Sequence, residues 1–197
     1  MLLETRSFDE ISIAEITEAS KTTVGSFYAR FPDKGSLLLA LQAQAHDDVV
    51  NRLQFELAPA RWAAFALRQT VEGMISKLIS IPDEYSPVFK AAMLSSEASR
   101  ALARKVTEII ETKIALMTTL VLSKRGEIRH PNPERVARSG ASIVESVLQH
   151  RRVRLFVDTV GYPLGESNLH QDLCEMYLAL LGLDDTSSDS TAVVDEH

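Results

Sequence analysis

Val24, Gly25, Ser26 and Tyr28 fall within five residues and together offer what a chain needs to touch nucleic acid. The Ser26 hydroxyl both donates and accepts, so it suits base edges of either kind, and Val24 can meet a thymine methyl. Gly25 lets the backbone come close, and the Tyr28 hydroxyl can donate to a phosphate. The other reactive residue types do not converge. His46, His130, His150, His170 and His197 share no metal-ligand spacing, and there is no His-Glu-x-x-His pair, cysteine cluster, phosphate-cradling glycine loop or Gly-x-Ser-x-Gly elbow. The single Cys174 sits between Leu173 and Met176 at core-like spacing, with nothing nearby in sequence to depress its pKa. His46 with Asp47 reads as a solvated helix face, and Arg151, Arg152 and Arg154 could bind an anionic partner but are equally the basic residues that a helix C-terminus attracts, which is the reading favoured. The sequence therefore predicts no catalytic residue, no metal and no cofactor.

The elements that would hold the Val24–Tyr28 face in place are legible around it. Ser12 followed by Glu15 forms a capping box that starts a helix near Ile13, with Ile13, Ile16 and Ala19 at helical spacing. Ser20, Thr22 and Thr23 favour a turn and a new cap. A second helix then carries Val24 to Phe31, with Phe27 and Phe31 four apart on its inner face, and Pro32 ends it. Asp33 caps a third helix whose expected buried stripe is Leu37, Leu41, Ala45, Val49 and Leu53. Two short helices joined by a tight turn form a helix-turn-helix, which lays its second helix in the DNA major groove.

The run VGSFYARFPDKGSLLLAL with the upstream ISIAEITEAS resembles the DNA-binding segment of TetR-type transcriptional regulators, Phe27, Tyr28, Phe31, Pro32, Lys34 and Leu37 all fitting that family's pattern. The resemblance implies an all-α protein: an N-terminal helix-turn-helix domain followed by a larger helical bundle for effector binding and dimerisation. It implies a DNA-contacting set of Thr22, Thr23, Val24, Gly25, Ser26, Tyr28 and Lys34. It also implies a homodimer on a palindromic operator, acting as a repressor released by a small molecule. Two features depart from the family. Lys21 stands where a turn glycine is usual, and only MLLETRS precedes Phe8, where the family has a full helix, so the first helix reads as truncated. These departures, with an acidic start, favour the alternative of a helical dimerisation or interaction protein on the same fold that has lost DNA binding. An all-helical enzyme has no positive feature in its support.

The expected boundaries are residues 1–45 for the DNA-binding domain, 46–185 for the effector and dimerisation domain, and 186–197 for a disordered acidic tail. After Pro59 a helix is expected from Ala60 to Ile81, greasy on most faces and so a natural cavity wall. Ser86-Pro87 opens a short helix, and a long one runs from about Ser96 to Gly126. Others begin at Asn132-Pro133 and near Asn168, separated by an irregular stretch holding Gly161, Pro163 and Gly165. Trp62, Phe65, Val71, Ile75, Phe89, Met93, Val106 and Ile110 are the expected lining of a mostly apolar site for a small apolar or aromatic effector. Ser139, Gly140, Ala141 and Ser142 would allow a close helix contact, within one chain's bundle or, as the resemblance leads one to expect for Gly140, across a twofold axis.

Composition bounds the reading. With 197 residues, 45% hydrophobic and 24% charged, the chain suits an ordinary globular protein, and no apolar run approaches the roughly 20 residues of a membrane span. The lone cysteine agrees with a reducing compartment, so the cytoplasm is expected, with no membrane partner. The net charge of −6 is unusual for a nucleic-acid binder. Asp184, Asp185, Asp189, Asp195 and Glu196 put much of it in the tail, but the first 45 residues also hold more acids than bases. A modest, salt-sensitive grip on DNA follows.

Overall fold

In the computed structural model, residues 2–94, 100–156 and 168–183 are described. Among them there is no strand. The helices are α1 (Ile13–Ala19), α2 (Val24–Tyr28), α3 (Lys34–Glu56), α4 (Leu67–Asp83), α5 (Ser86–Leu94), α6 (Arg100–Leu122), α7 (Pro133–Phe156) and α8 (Leu169–Leu180). The expected irregular stretch around Gly161 to Gly165 and the acidic tail lie outside the described residues.

The predicted caps are made. Ser12 Oγ accepts from the Glu15 amide at 3.2 Å and Glu15 Oε2 accepts from the Ser12 amide at 2.8 Å. Thr23 Oγ1 accepts from the Ser26 amide at 3.1 Å, and Asp33 Oδ1 from the Ser36 amide at 2.6 Å. Between α1 and α2 the chain closes as a Schellman turn: Lys21 N donates to Glu18 O and Thr22 N to Thr17 O. Lys21 sits at the left-handed position, φ 53°, where glycine is the usual resident.

The α3 stripe is one residue out of phase with expectation at its start. Leu38, Gln42, Ala45, Val49 and Leu53 are buried, while Leu37 is half-buried and Leu41 exposed. Four leucines among residues 37–41 cannot fix the phase of a helix by themselves.

The helix expected from Ala60 to Ile81 is interrupted. A 3-10 turn spans Pro59–Trp62, and α4 begins only at Leu67. Trp62 folds back: its Nε1 donates to the Glu56 carbonyl at 2.7 Å, and its ring covers Gly73 so closely that a Cβ there would lie 2.2 Å away. The start of α4 is capped from a distance, by Glu127 Oε2 accepting from the Leu67 amide at 2.8 Å. From there α4 is central, with Leu67, Val71, Met74, Ile75, Leu78 and Ile81 all buried among α3, α6 and α8. Each such side chain contributes about 1.5–3 kcal/mol by leaving water.

Helices α7 and α8 pack against each other at Gly140, where a Cβ would lie 2.2 Å from the Tyr177 ring. Tyr177 is fully buried and its hydroxyl donates to the Ala137 carbonyl at 2.5 Å. Gly140 therefore serves contact within the chain, correcting its expected place at a twofold axis.

Candidate functional site

The small-residue face of α2 is turned outward. Thr22, Thr23, Val24, Gly25, Ser26 and Tyr28 are all exposed, Val24 at 45% and Tyr28 at 54%. A Cβ at Gly25 would meet only Thr23 Oγ1, at 3.8 Å, so the surface there is open. Phe27 turns the other way and is buried, its ring edge-on to Tyr28 at 5.4 Å and tilted against Phe31 at 5.7 Å. These contacts fix the roll of α2, so that the polar face can only point out. Thr23 Oγ1, besides capping the helix, lies 3.0 Å from Ser26 Oγ and orients it.

Lys34 is placed differently from the others. Its Nζ donates to the carbonyls of Phe8, Asp9 and Ile11 at 2.8, 3.1 and 2.9 Å and stands 4.8 Å from the Phe8 ring centre. An ammonium has three donors, and all three are occupied. Lys34 thus clamps the segment before α1 onto α3 and, as it stands, offers nothing to a phosphate. Two cations that the sequence reading passed over flank α2 instead. Lys21 and Arg30 are exposed and make no ion pair among the described residues. Their signal was available in their positions just before and just after the outward helix.

Leu2 and Leu3, expected as the last turn of a shortened first helix, lie in a 3-10 turn, Leu2–Glu4, ahead of Phe8. An apolar groove of about 600 Å³ opens there, with Leu3, Ile16, Phe27, Phe31, Leu37 and Leu41 among its walls.

A second concave feature lies within the larger helical part, a cavity of about 270 Å³ between α3, α5, α6 and α7. Its apolar walls are Val49, Phe89, Met93, Val106 and Ile109, and Gln42, His46, Lys113, Gln149 and Arg152 supply its polar side. Of the expected lining, Phe89, Met93 and Val106 are there. Val71 and Ile75 are not, because both are buried in the core among α3, α6 and α8; Trp62 is held over Gly73, Phe65 is exposed, and Ile110 packs at the edge of the core. The charged side was missed because Arg152 reads as one of three basic residues at a helix C-terminus and Lys113 carries no local signal in the sequence.

Lys113 and Glu145 are buried, and Nζ donates to Glu145 Oε1. Arg152 Nη2 reaches the same oxygen at 3.2 Å, while its Nε donates to the Leu148 carbonyl at 3.2 Å. Desolvation, then the nearby Arg152 charge, pull the Lys113 ammonium down to about 8 against the opposing pull of Glu145. The His46 ring stacks on Phe89 at 4.7 Å. Cys174, by contrast, is buried, and its thiol is pushed up to about 11 by burial and then by Glu72 and Glu175, which suits a core residue.

Fold and surface together define a helix-turn-helix DNA-binding domain continued into a helical bundle. Residues 1–41 match the family model described as bacterial regulatory proteins, tetR family. No curated protein matches the chain. The N-terminal segment is a TetR-type helix-turn-helix DNA-binding domain. No helix among the described residues is long and apolar enough to cross a membrane.

Proposed function

We propose that the protein is a homodimeric repressor that places α2 in the major groove of a palindromic operator and leaves it when a small molecule enters the α3–α5–α6–α7 cavity. The observation that carries this reading is α3 itself. Its Leu38 packs in the N-terminal core beside Phe8, and its Gln42, His46 and Val49 line the cavity four to eleven residues later. A ligand that prefers one setting of this helix shifts the population of DNA-competent dimers by its differential affinity for the two states.

Ser26 and Val24 are assigned to base edges, and Tyr28 with Lys21 and Arg30 to phosphates. Dimerisation is assigned to α7 and α8, on an outer face where Ile143 is 40% exposed and Val147, Met176 and Leu180 are half-buried. Ile143→Glu should give folded monomers in sedimentation, and an unchanged dimer would refute this face.

A gel shift with the DNA upstream of the chain's own coding sequence tests the reading as a whole. Specific retardation that weakens when Tyr28 becomes Phe is expected. No retardation at low salt, from a folded dimer, would favour the alternative of an interaction protein that has lost DNA binding, to which the acidic N-terminal charge balance points.

A further inference from the structure

The cavity's charges do not cancel. Lys113 and Arg152 both line it, and both lean on a single carboxylate oxygen, Glu145 Oε1. Lys113 is 1% exposed and, among the described residues, its three N–H donors meet that one acceptor. A buried ammonium with unfilled donors costs free energy until an acceptor arrives, and an anionic acceptor also removes the surplus positive charge. Gln42, 7% exposed and also lining the cavity, presents a buried Oε1 that has no hydrogen-bond partner among the described residues and can receive a donor. The remaining walls, Phe89, Met93, Val106 and Ile109, are apolar.

We infer that this cavity is a binding site for a small aromatic monocarboxylate, its carboxylate on Lys113 and Arg152, its ring against Phe89 and Met93, and any hydroxyl or N–H on it directed to Gln42. The inference rests on the effector reading above and changes its chemistry: a wholly apolar ligand would leave the Lys113 donors unfilled. Size agrees. A dry cavity of about 150 Å³ holds benzene, so about 270 Å³ holds one ring with a short acidic side chain. A dianion would overbalance the single surplus cation, which sets the charge at one.

Calorimetry with phenylacetate and with its neutral isostere phenylacetamide tests the site. Phenylacetate should bind at one site per chain and at least tenfold more tightly than the amide. Lys113→Met should abolish that preference while keeping the Arg152–Glu145 pair, and circular dichroism reports whether this variant folds. If it does not fold, the two probes on the native protein still decide. Equal affinities, no binding of either probe, or a carboxylate preference that survives in folded Lys113→Met would overturn the assignment. Charge-selective binding that leaves operator affinity unchanged would uphold the site and refute its regulatory role.

Discussion

The ring of Tyr177 occupies the space in which a side chain at Gly140 would begin, its Cε2 2.2 Å from the position of a Cβ. The hydroxyl beyond that ring is held by the Ala137 carbonyl one turn earlier on α7, so the ring cannot swing away without breaking a buried hydrogen bond. Gly140→Ala should therefore destabilise the protein by about 1–3 kcal/mol through overpacking. Urea denaturation measures it. A loss under about 0.5 kcal/mol, the range of an ordinary surface substitution, would mean that α7 and α8 separate more easily than this contact implies.

Lys21 holds the left-handed position of the α1–α2 turn at φ 53°. A Cβ in that region costs roughly 1 kcal/mol or more, which glycine escapes. Lys21→Gly should raise stability by about 1 kcal/mol while weakening DNA binding through the lost cation. Thermal denaturation and a salt titration of DNA affinity separate the two effects; a destabilised Lys21→Gly would contradict the strain.

Lys34 with its three carbonyl partners is a structural clamp here. Lys34→Met should loosen the segment around Phe8, by about 1.5–3 kcal/mol if it behaves as hydrogen bonds to a charged group usually do. The salt dependence of DNA binding should keep its slope, since no phosphate contact is lost. A slope reduced by about one would return Lys34 to the DNA face.

The Glu15 carboxyl is held at about 2 by the Ser12 amide, then by Arg6 and the Ser12 hydroxyl. Its folded pKa is below its unfolded value, so its contribution to stability is present above about 4.5 and is lost as pH falls toward 2. Carbon-detected NMR of the Glu15 side chain should show a midpoint well under the usual carboxylate range. A midpoint near 4.5 would mean that the capping box is open in solution.

Features written in local sequence were legible before the structure. The Ser12–Glu15 box, the Asp33 cap and inward-facing Phe27 depend on neighbours a few residues away, and they are found as expected, whereas Phe31 falls past the end of α2 and is half-buried against Phe27. The outward α2 face follows from the same spacing. The phase of α3 did not, because leucines at 37, 38, 39 and 41 satisfy more than one helical stripe; the deciding mark was Gln42, whose burial no hydrophobic pattern rewards. Lys113 and Glu145 escaped for a related reason. They stand 32 positions apart on different helices, and each becomes buriable only beside the other. The break between Trp62 and Leu67 likewise depends on Gly73 and Glu127, which meet that segment only after folding.

The 23 residues of α3 make a rod of about 34 Å at 1.5 Å per residue. Its far end is held in the bundle by buried Val49 and Leu53, with the exposed Arg52–Glu84 pair beside them, and its near end supports the turn that follows α2. A rod pinned at one end amplifies rotation into displacement. A tilt of only about 5° about the Arg52 end would carry Lys34 roughly 2.4 Å sideways, judged from that rise per residue. Two recognition surfaces in a dimer moving in opposite senses would change their separation by twice that amount, a sizeable fraction of the ~34 Å repeat of the double helix. The bulk of a single aromatic ring beside Gln42 and His46 is of the same order as the wedge such a tilt requires.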